Sequence, residues 1–162
     1  KIENALVELD YKENKVARSL ANGKTEMIGI IIVTHSNFAE GIKNSVEMIA
    51  GKQDNFTAIN FENGEDIEDL KNRISQKAVE YTSKGLDVIY VTDLKGATPF
   101  NACLYVSTQI WGPVVAGLCL PILLELVLTR DTMDIEDLSS YVRYVITNAK
   151  ESIQVIDVNE LM

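Results

Sequence analysis

Short runs of β-favouring apolar residues alternate with longer stretches of helical periodicity along most of this chain. The apolar runs predict strands at residues 28–34, 56–61, 88–93, 114–118 and, near the end of the chain, 153–158. Apolar residues at helical spacing predict helices at residues 38–50, 65–82, 99–109, 122–129 and 135–149. This alternation is typical of βαβ units, so the pattern predicts a mainly parallel sheet with helices on both faces.

The order of the strands follows from the usual handedness of such units. Right-handed crossovers favour the order 2-1-3-4, which makes this an open, doubly wound α/β fold with the first and third strands side by side. Ligands bind outside the carboxyl ends of the strands in open sheets of this kind. Two loops, "THSNF" after the first strand and "DLKGATPFN" after the third, are therefore expected to meet there.

The first 26 residues differ in composition from the rest of the chain. They carry five basic and five acidic residues, so the whole net charge of -9 falls within residues 27–162. Near-helical apolar spacing predicts an amphipathic helix that ends at Asn22 and Gly23. We predict one domain at residues 27–162, with Met27 as a candidate initiator, and interpret residues 1–26 as a helical extension, a linker or an expression remnant.

Composition narrows the classes of function. Apolar residues make up 46% of the chain and charged residues 24%, which are ordinary values for a globular domain. The most apolar stretch, residues 114–128, is interrupted by Pro121 and Glu125 and is too short to span a bilayer. The negative net charge argues against nucleic acid as a partner. Cys103 and Cys119 form no CxxC motif, which favours reduced thiols and a cytoplasmic location.

His35 is the only histidine, and it follows the first predicted strand directly. Ser36 and Asn37 are available to cap the next helix, whose first N–H groups favour an anion such as a phosphoryl group. Asp93 ends the third predicted strand and, beside His35, would fix the imidazole tautomer and stabilise a positively charged ring. For each residue alone, a loop or helix-cap role is the alternative interpretation.

The loop after Asp93 offers further groups for binding a phosphoryl ion. Gly96 and Ala97 are small enough for their backbone N–H groups to approach a ligand, and Thr98 adds a hydroxyl donor. A simple helix N-terminus is the alternative. The chain contains neither GxGxxG nor a P-loop, and one histidine does not make a zinc set, so we expect no nucleotide cofactor and no metal.

Three motifs in this order resemble the mannose-family enzyme IIA domain of the bacterial phosphoenolpyruvate:sugar phosphotransferase system. They read "IGIIIVTHSNFAEGIKNSVEMIAG", "VTDLKGATPFNA" and "VVAGLCLPILLELVLTRD", and the resemblance covers about residues 27–158. It implies that His35 is phosphorylated, that Asp93 holds its imidazole, and that Thr98 contacts the phosphoryl group. Ser36 and Ala97 stand where the family usually has glycine, and a side chain is disfavoured at positive φ.

The resemblance also implies the partners. Phosphocarrier HPr would supply the phosphoryl group during sugar uptake, a IIB domain would receive it, and the membrane would be reached only through IIC and IID subunits. Family members dimerise, often by exchange of the terminal strand, so a homodimer is expected with residues 153–158 crossing to the partner. Phe38 and Phe100, each beside a reactive loop, are candidate docking residues, and core packing is their alternative.

Three other functions remain open from the sequence. A very similar domain relays phosphate to a dihydroxyacetone kinase, and related domains act as phosphorylation-controlled modules in transcriptional activators. The third possibility is a flavodoxin-like binding domain in which His35 has no chemical role. The transported sugar is not encoded here, because a IIA domain contacts proteins and never the sugar.

Overall fold

The computed structural model describes residues 28–162, so the helix and linker predicted at residues 1–26 lie outside it. Within this range, four strands form one sheet in the order β2-β1-β3-β4, with every neighbouring pair parallel. They are β1 (Ile28–His35), β2 (Phe56–Phe61), β3 (Asp87–Thr92) and β4 (Val114–Ala116). The α/β class and the order 2-1-3-4 predicted from the sequence are confirmed.

Helices connect the strands and cover both faces of the sheet. They are α1 (Phe38–Ala50), α2 (Ile67–Ser83), α3 (Thr98–Ser107), α4 (Leu120–Thr129) and α5 (Leu138–Lys150). Alternate residues of the central strand divide between two cores: Ile30 and Ile32 pack with α1, α4 and α5, whereas Ile31 and Val33 pack with α2 and α3. Because both faces are covered, the strand is apolar along its length rather than alternating. Among the helices of residues 28–162, none is long and apolar enough to cross a membrane.

Element boundaries shift where polar side chains cap the helices. The α1 and β2 ranges match the prediction, but α2 begins at Ile67 because the Asp66 side chain accepts a hydrogen bond from the Glu68 N–H. Likewise Asp137 accepts from the Ser140 N–H, so α5 begins three residues later than apolar periodicity alone predicts. Such acidic caps satisfy N–H groups at the start of a helix, which fixes the first residue.

The last predicted strand does not form within the single chain. Residues 153–157 pair with no strand in the part of the chain that the structure describes, and a 3₁₀ helix follows at Val158–Glu160. The apolar side chains of this C-terminal segment are exposed, Ile153 by 69%, Val155 by 93% and Ile156 by 64%. An apolar β-favouring run forms a strand only when a sheet edge pairs with it, and this chain brings none to it.

Arg130 is a buried charged residue that the sequence patterns did not single out. It follows α4 and is only 2% exposed. Its guanidinium donates to the backbone carbonyls of Ile28 at 3.0 Å, Asp54 at 2.7 Å and Asn55 at 3.3 Å. The side chain therefore ties the start of β1 to the loop that precedes β2, at the end of the sheet opposite His35.

Replacing Arg130 with methionine is expected to lower the free energy of unfolding by about 3 kcal/mol. Methionine fills a similar volume, but it leaves the buried Ile28 carbonyl and the Asp54 carbonyl without the guanidinium, and unsatisfied buried groups are costly. Urea denaturation measures the loss, and Arg143→Met on the exposed side of α5 is the matched control. Equal stability of the two variants would contradict a bonding role for Arg130.

Candidate functional site

The structure brings His35 and Asp93 together at the carboxyl ends of two neighbouring strands. Val33 of β1 pairs with Thr92 of β3, so His35 at the end of β1 and Asp93 just after β3 lie at the same end of the sheet. The Nδ1 atom of His35 lies 2.8 Å from Oδ2 of Asp93. The contact expected from the predicted strand order is therefore present.

Asp93 is fixed by three hydrogen bonds. Its Oδ2 accepts from the His35 backbone N–H at 2.9 Å as well as contacting the ring, and its Oδ1 accepts from the Leu94 N–H at 2.8 Å. An ionised carboxylate can only accept, so the ring proton sits on Nδ1 of His35. This tautomer leaves the lone pair on Nε2 available as a nucleophile.

Burial and hydrogen bonding act in opposite directions on the pKa of Asp93. Partial burial raises the pKa, but the bonds from the backbone and ring of His35 and from the Leu94 N–H outweigh it and hold the pKa below its ordinary value. The carboxyl group is therefore ionised at neutral pH. It places a negative charge beside the ring, where it stabilises any positive charge that develops there.

The His35 ring is accessible, unlike the carboxylate that holds it. The His35 side chain is 46% exposed, against 16% for Asp93. One contact on the ring comes from Phe61, edge to face with centroids 6.0 Å apart. Nearly half of the imidazole surface therefore remains open to another molecule.

The two departures from glycine have different outcomes. Ser36 has a φ of 52°, in the left-handed region, and its N–H donates to the Phe61 carbonyl at 2.8 Å. The expected strain at this serine is thus present, on the order of 1 kcal/mol. Ala97 has a φ of -81°, which any residue adopts, because the left-handed position of that loop falls on Gly96 with a φ of 82°.

The predicted capping of α1 by Ser36 or Asn37 is wrong. Asn37 occupies the N-cap position, but its side chain makes no capping hydrogen bond. The cap comes instead from Thr34, whose Oγ1 accepts from the Ala39 N–H at 2.7 Å. Sequence reasoning missed Thr34 because a cap normally lies next to the helix, and its only signal was a hydroxyl residue closing an apolar strand.

The loop after Asp93 turns back to begin α3 at Thr98. The Ala97 N–H donates to the Leu94 carbonyl at 3.3 Å, and the Asn101 side chain donates to the Gly96 carbonyl at 3.1 Å. Pro99 occupies the first turn, and no side chain of residues 28–162 caps this helix. Backbone N–H groups at its start are thus available to an anion.

Apolar side chains lie next to both loops. Phe38 is 44% exposed at the start of α1, whereas Phe100 is half-buried on α3. Leu94 follows Asp93 and is 62% exposed, although nothing in its local sequence pattern pointed to it. An apolar residue that leaves the sheet just after a buried strand has no core to enter, which accounts for its exposure.

The remaining candidate groups lie outside this site or are unreactive. Cys103 is buried, and burial raises the pKa of its thiol far above the ordinary range, while Cys119 is half-buried. Among residues 28–162, no three His, Cys, Asp or Glu side chains are grouped so that they could hold a metal ion.

Known proteins similar to this chain are sugar phosphotransferase components. The family model described as "PTS system fructose IIA component" matches residues 29–142. The sorbose-specific EIIA component of Lacticaseibacillus casei is 37% identical, and the match covers 69% of this chain and 80% of that protein. The fructose-specific EIIA component of Bacillus subtilis is 34% identical, with coverage of 69% and 77%.

A solved structure extends the similarity to the fold. The EIIA component from Streptococcus agalactiae superposes with a TM-score of 0.71 at 34% identity, covering 83% of this chain and 99% of that one. The family match at residues 29–142 includes β1 from its second residue, all of β3 and the loops that follow both strands.

Proposed function

This chain belongs to the mannose and fructose enzyme IIA family of the bacterial phosphotransferase system, and from that premise we propose that His35 is its phosphoryl acceptor. Phosphorylated HPr supplies the phosphoryl group, and a IIB domain receives it during sugar uptake. The observation that carries the proposal is the bond between Nδ1 of His35 and Asp93, on a ring that stays nearly half exposed. We assign the IIA domain to residues 27–162, with residues 1–26 preceding it.

Phosphoryl transfer needs one bond to form as another breaks. The Nε2 lone pair of His35 attacks phosphorus in line with the nitrogen of the donor phosphohistidine, and the donor nitrogen keeps the electrons of the broken N–P bond. The phosphorylated His35 ring is then positively charged, with its proton still on Nδ1. Asp93 accepts that proton in a hydrogen bond and offsets the charge. Transfer to the IIB domain repeats these steps in reverse.

The proposal assigns the phosphoryl oxygens to the two loops around His35. The proposed donors are the hydroxyls of Ser36 and Thr98, the Gly96 N–H and the start of α3. Ala97 lines the site without donating, since the Ser36 and Ala97 N–H groups already donate to the carbonyls of Phe61 and Leu94. The uncapped start of α3 and the left-handed backbone at Ser36 and Gly96 support this assignment. The electrostatic part comes from the positive ends of the helix dipoles, which favour an anion.

HPr must bring its phosphohistidine, and the IIB domain its acceptor residue, to the same exposed ring. We assign their docking to Phe38 and Phe100, with Phe38 as the more exposed of the two. Contact with the membrane then runs only through the IIC and IID subunits, and the protein works in the cytoplasm. No metal or nucleotide takes part, since the donor group already carries an activated phosphoryl bond.

The functional test is the intact mass of the full chain after incubation with phosphoenolpyruvate, enzyme I and HPr. One acid-labile phosphoryl group is expected, and it should leave again when a IIB domain is added. A stable phosphorylated form that no IIB domain can discharge would favour a regulatory module, and discharge only by a dihydroxyacetone kinase would favour that relay. An unchanged mass would favour the flavodoxin-like binding domain, in which His35 has no chemical role.

We also propose a homodimer in which residues 153–158 pair with the sheet of the partner subunit. One support is the exposure of Val155 and Ile156. The other is β4, a three-residue strand at the edge of the sheet, with which a strand of the partner could pair. Light scattering over a concentration series is expected to give about twice 18.0 kDa.

The matched variant carries Val155→Asp and Ile156→Asp together. Successive strand residues point to opposite faces, so at least one charge would enter the partner's core and the variant should be a monomer. A wild-type mass of 18.0 kDa at every concentration would contradict the dimer.

A further inference from the structure

Thr34 is a fully buried polar residue immediately before the reactive histidine. It is 0% exposed, and its hydroxyl makes two hydrogen bonds. Oγ1 accepts from the Ala39 N–H at 2.7 Å and donates to the His35 carbonyl at 3.3 Å. The bonds join the end of β1 to the first turn of α1 across the loop that carries His35.

This hydroxyl has no substitute in the loop. Asn37, at the N-cap position, makes no capping bond with its side chain, so the Ala39 N–H depends on Thr34. Ala39 is itself fully buried, which removes water as a replacement partner. Without the hydroxyl, the Ala39 N–H would have to move or remain unsatisfied.

The loop that Thr34 closes is also the one under backbone strain. Two hydrogen bonds hold Ser36 in its left-handed conformation. The His35 N–H donates to Asp93, and the Ser36 N–H donates to the Phe61 carbonyl. A strained conformation persists only where its surroundings over-determine it. The Thr34 bond to the Ala39 N–H is a third constraint on this loop, and without it the backbone at His35 is expected to relax and carry the ring with it.

We propose that Thr34 is a positioning residue, whose buried hydroxyl closes the His35 loop and holds the imidazole against Asp93 in the orientation for in-line attack. The effect of Thr34 on the transfer rate rests on the proposed function, whereas its effect on the orientation of the His35 ring is independent of that function. Thr34 touches no reacting atom and acts through the backbone of His35. Small displacements of a reacting group can lower a rate by orders of magnitude, so the effect should be measurable.

The test compares Thr34→Val, which has nearly the same shape without the hydroxyl, with Thr34→Ser, which keeps it. The control is Tyr141→Phe, which removes another buried hydroxyl, bonded to Thr129 and the Leu126 carbonyl on the α4–α5 side of the molecule. All are full-length chains. Since the chain has one histidine, ¹⁵N NMR of the imidazole reports His35 alone.

We expect Thr34→Val to lower the single-turnover rate of phosphoryl transfer from saturating phospho-HPr about tenfold or more, with the apparent affinity for the donor within about twofold. The two ring nitrogen shifts should move towards a mixture of tautomers. Thr34→Ser should restore both readouts, and Tyr141→Phe should lose stability without changing either.

Unchanged ring shifts together with an unchanged rate in a folded Thr34→Val chain would overturn the proposal and leave Thr34 as a helix cap only. If this variant does not fold, Thr34→Cys takes its place, because a thiol is a weaker acceptor of similar size, and unchanged ring shifts there overturn it equally. If wild-type protein accepts no phosphoryl group, the proposed function fails, and the ring shifts alone decide the role of Thr34.

Discussion

His35→Gln should abolish phosphoryl acceptance, so that its intact mass is unchanged by phosphoenolpyruvate, enzyme I and HPr while the wild type gains one phosphoryl group. The chain has no second histidine to take over. Glutamine has a similar reach and can donate from its amide to Asp93, but its amide nitrogen offers no lone pair for attack on phosphorus. The loss is therefore expected to be complete rather than partial.

The fold of His35→Gln should survive, which makes the loss of activity interpretable. His35 is nearly half exposed and packs in neither core, so the free energy of unfolding should change by less than about 1 kcal/mol. Urea denaturation supplies this control. A folded variant that still gains an acid-labile phosphoryl group would place the acceptor on another residue.

The sequence was sufficient to predict the pairing of His35 with Asp93, because each step depends on local patterns and general rules. Apolar runs located β1 and β3, and right-handed crossovers made them neighbours. A residue just beyond the end of each strand then lies at the same edge of the sheet. The exposure of the ring and the three bonds to the carboxylate depend on coordinates, and no spacing could give them.

Residues whose role depends on distant partners were not predictable. Arg130 looks like the end of an amphipathic helix in the sequence, and only the folded chain shows the carbonyl of Ile28, more than a hundred positions away, as its acceptor. Thr34 is similar, since a cap that acts from five residues before the N–H it binds has no established sequence signature. The segment 153–158 differs, because its strand propensity is local, whereas the pairing that would make it a strand needs a partner outside the segment.

Asp93→Asn is expected to lower the rate of phosphoryl transfer about 10³-fold while leaving the fold intact. Asparagine has the same shape, but its amide can donate to Nδ1 of His35, which would move the ring proton to Nε2 and block the lone pair that attacks phosphorus. The variant also lacks the negative charge that offsets the phosphorylated ring. Single-turnover kinetics with phospho-HPr measure the rate, and ¹⁵N shifts of the imidazole show which nitrogen carries the proton.

A change in net charge alone does not explain such a loss, and a control variant separates the two effects. Asp69→Asn removes one negative charge from the exposed side of α2 and should transfer phosphoryl groups at the wild-type rate. If Asp93→Asn stayed within about threefold of the wild type, the carboxylate would be a structural ligand of the loop. A large loss with a changed tautomer would instead mean that catalysis depends on a proton kept on Nδ1, where the ring lies 2.8 Å from the carboxylate.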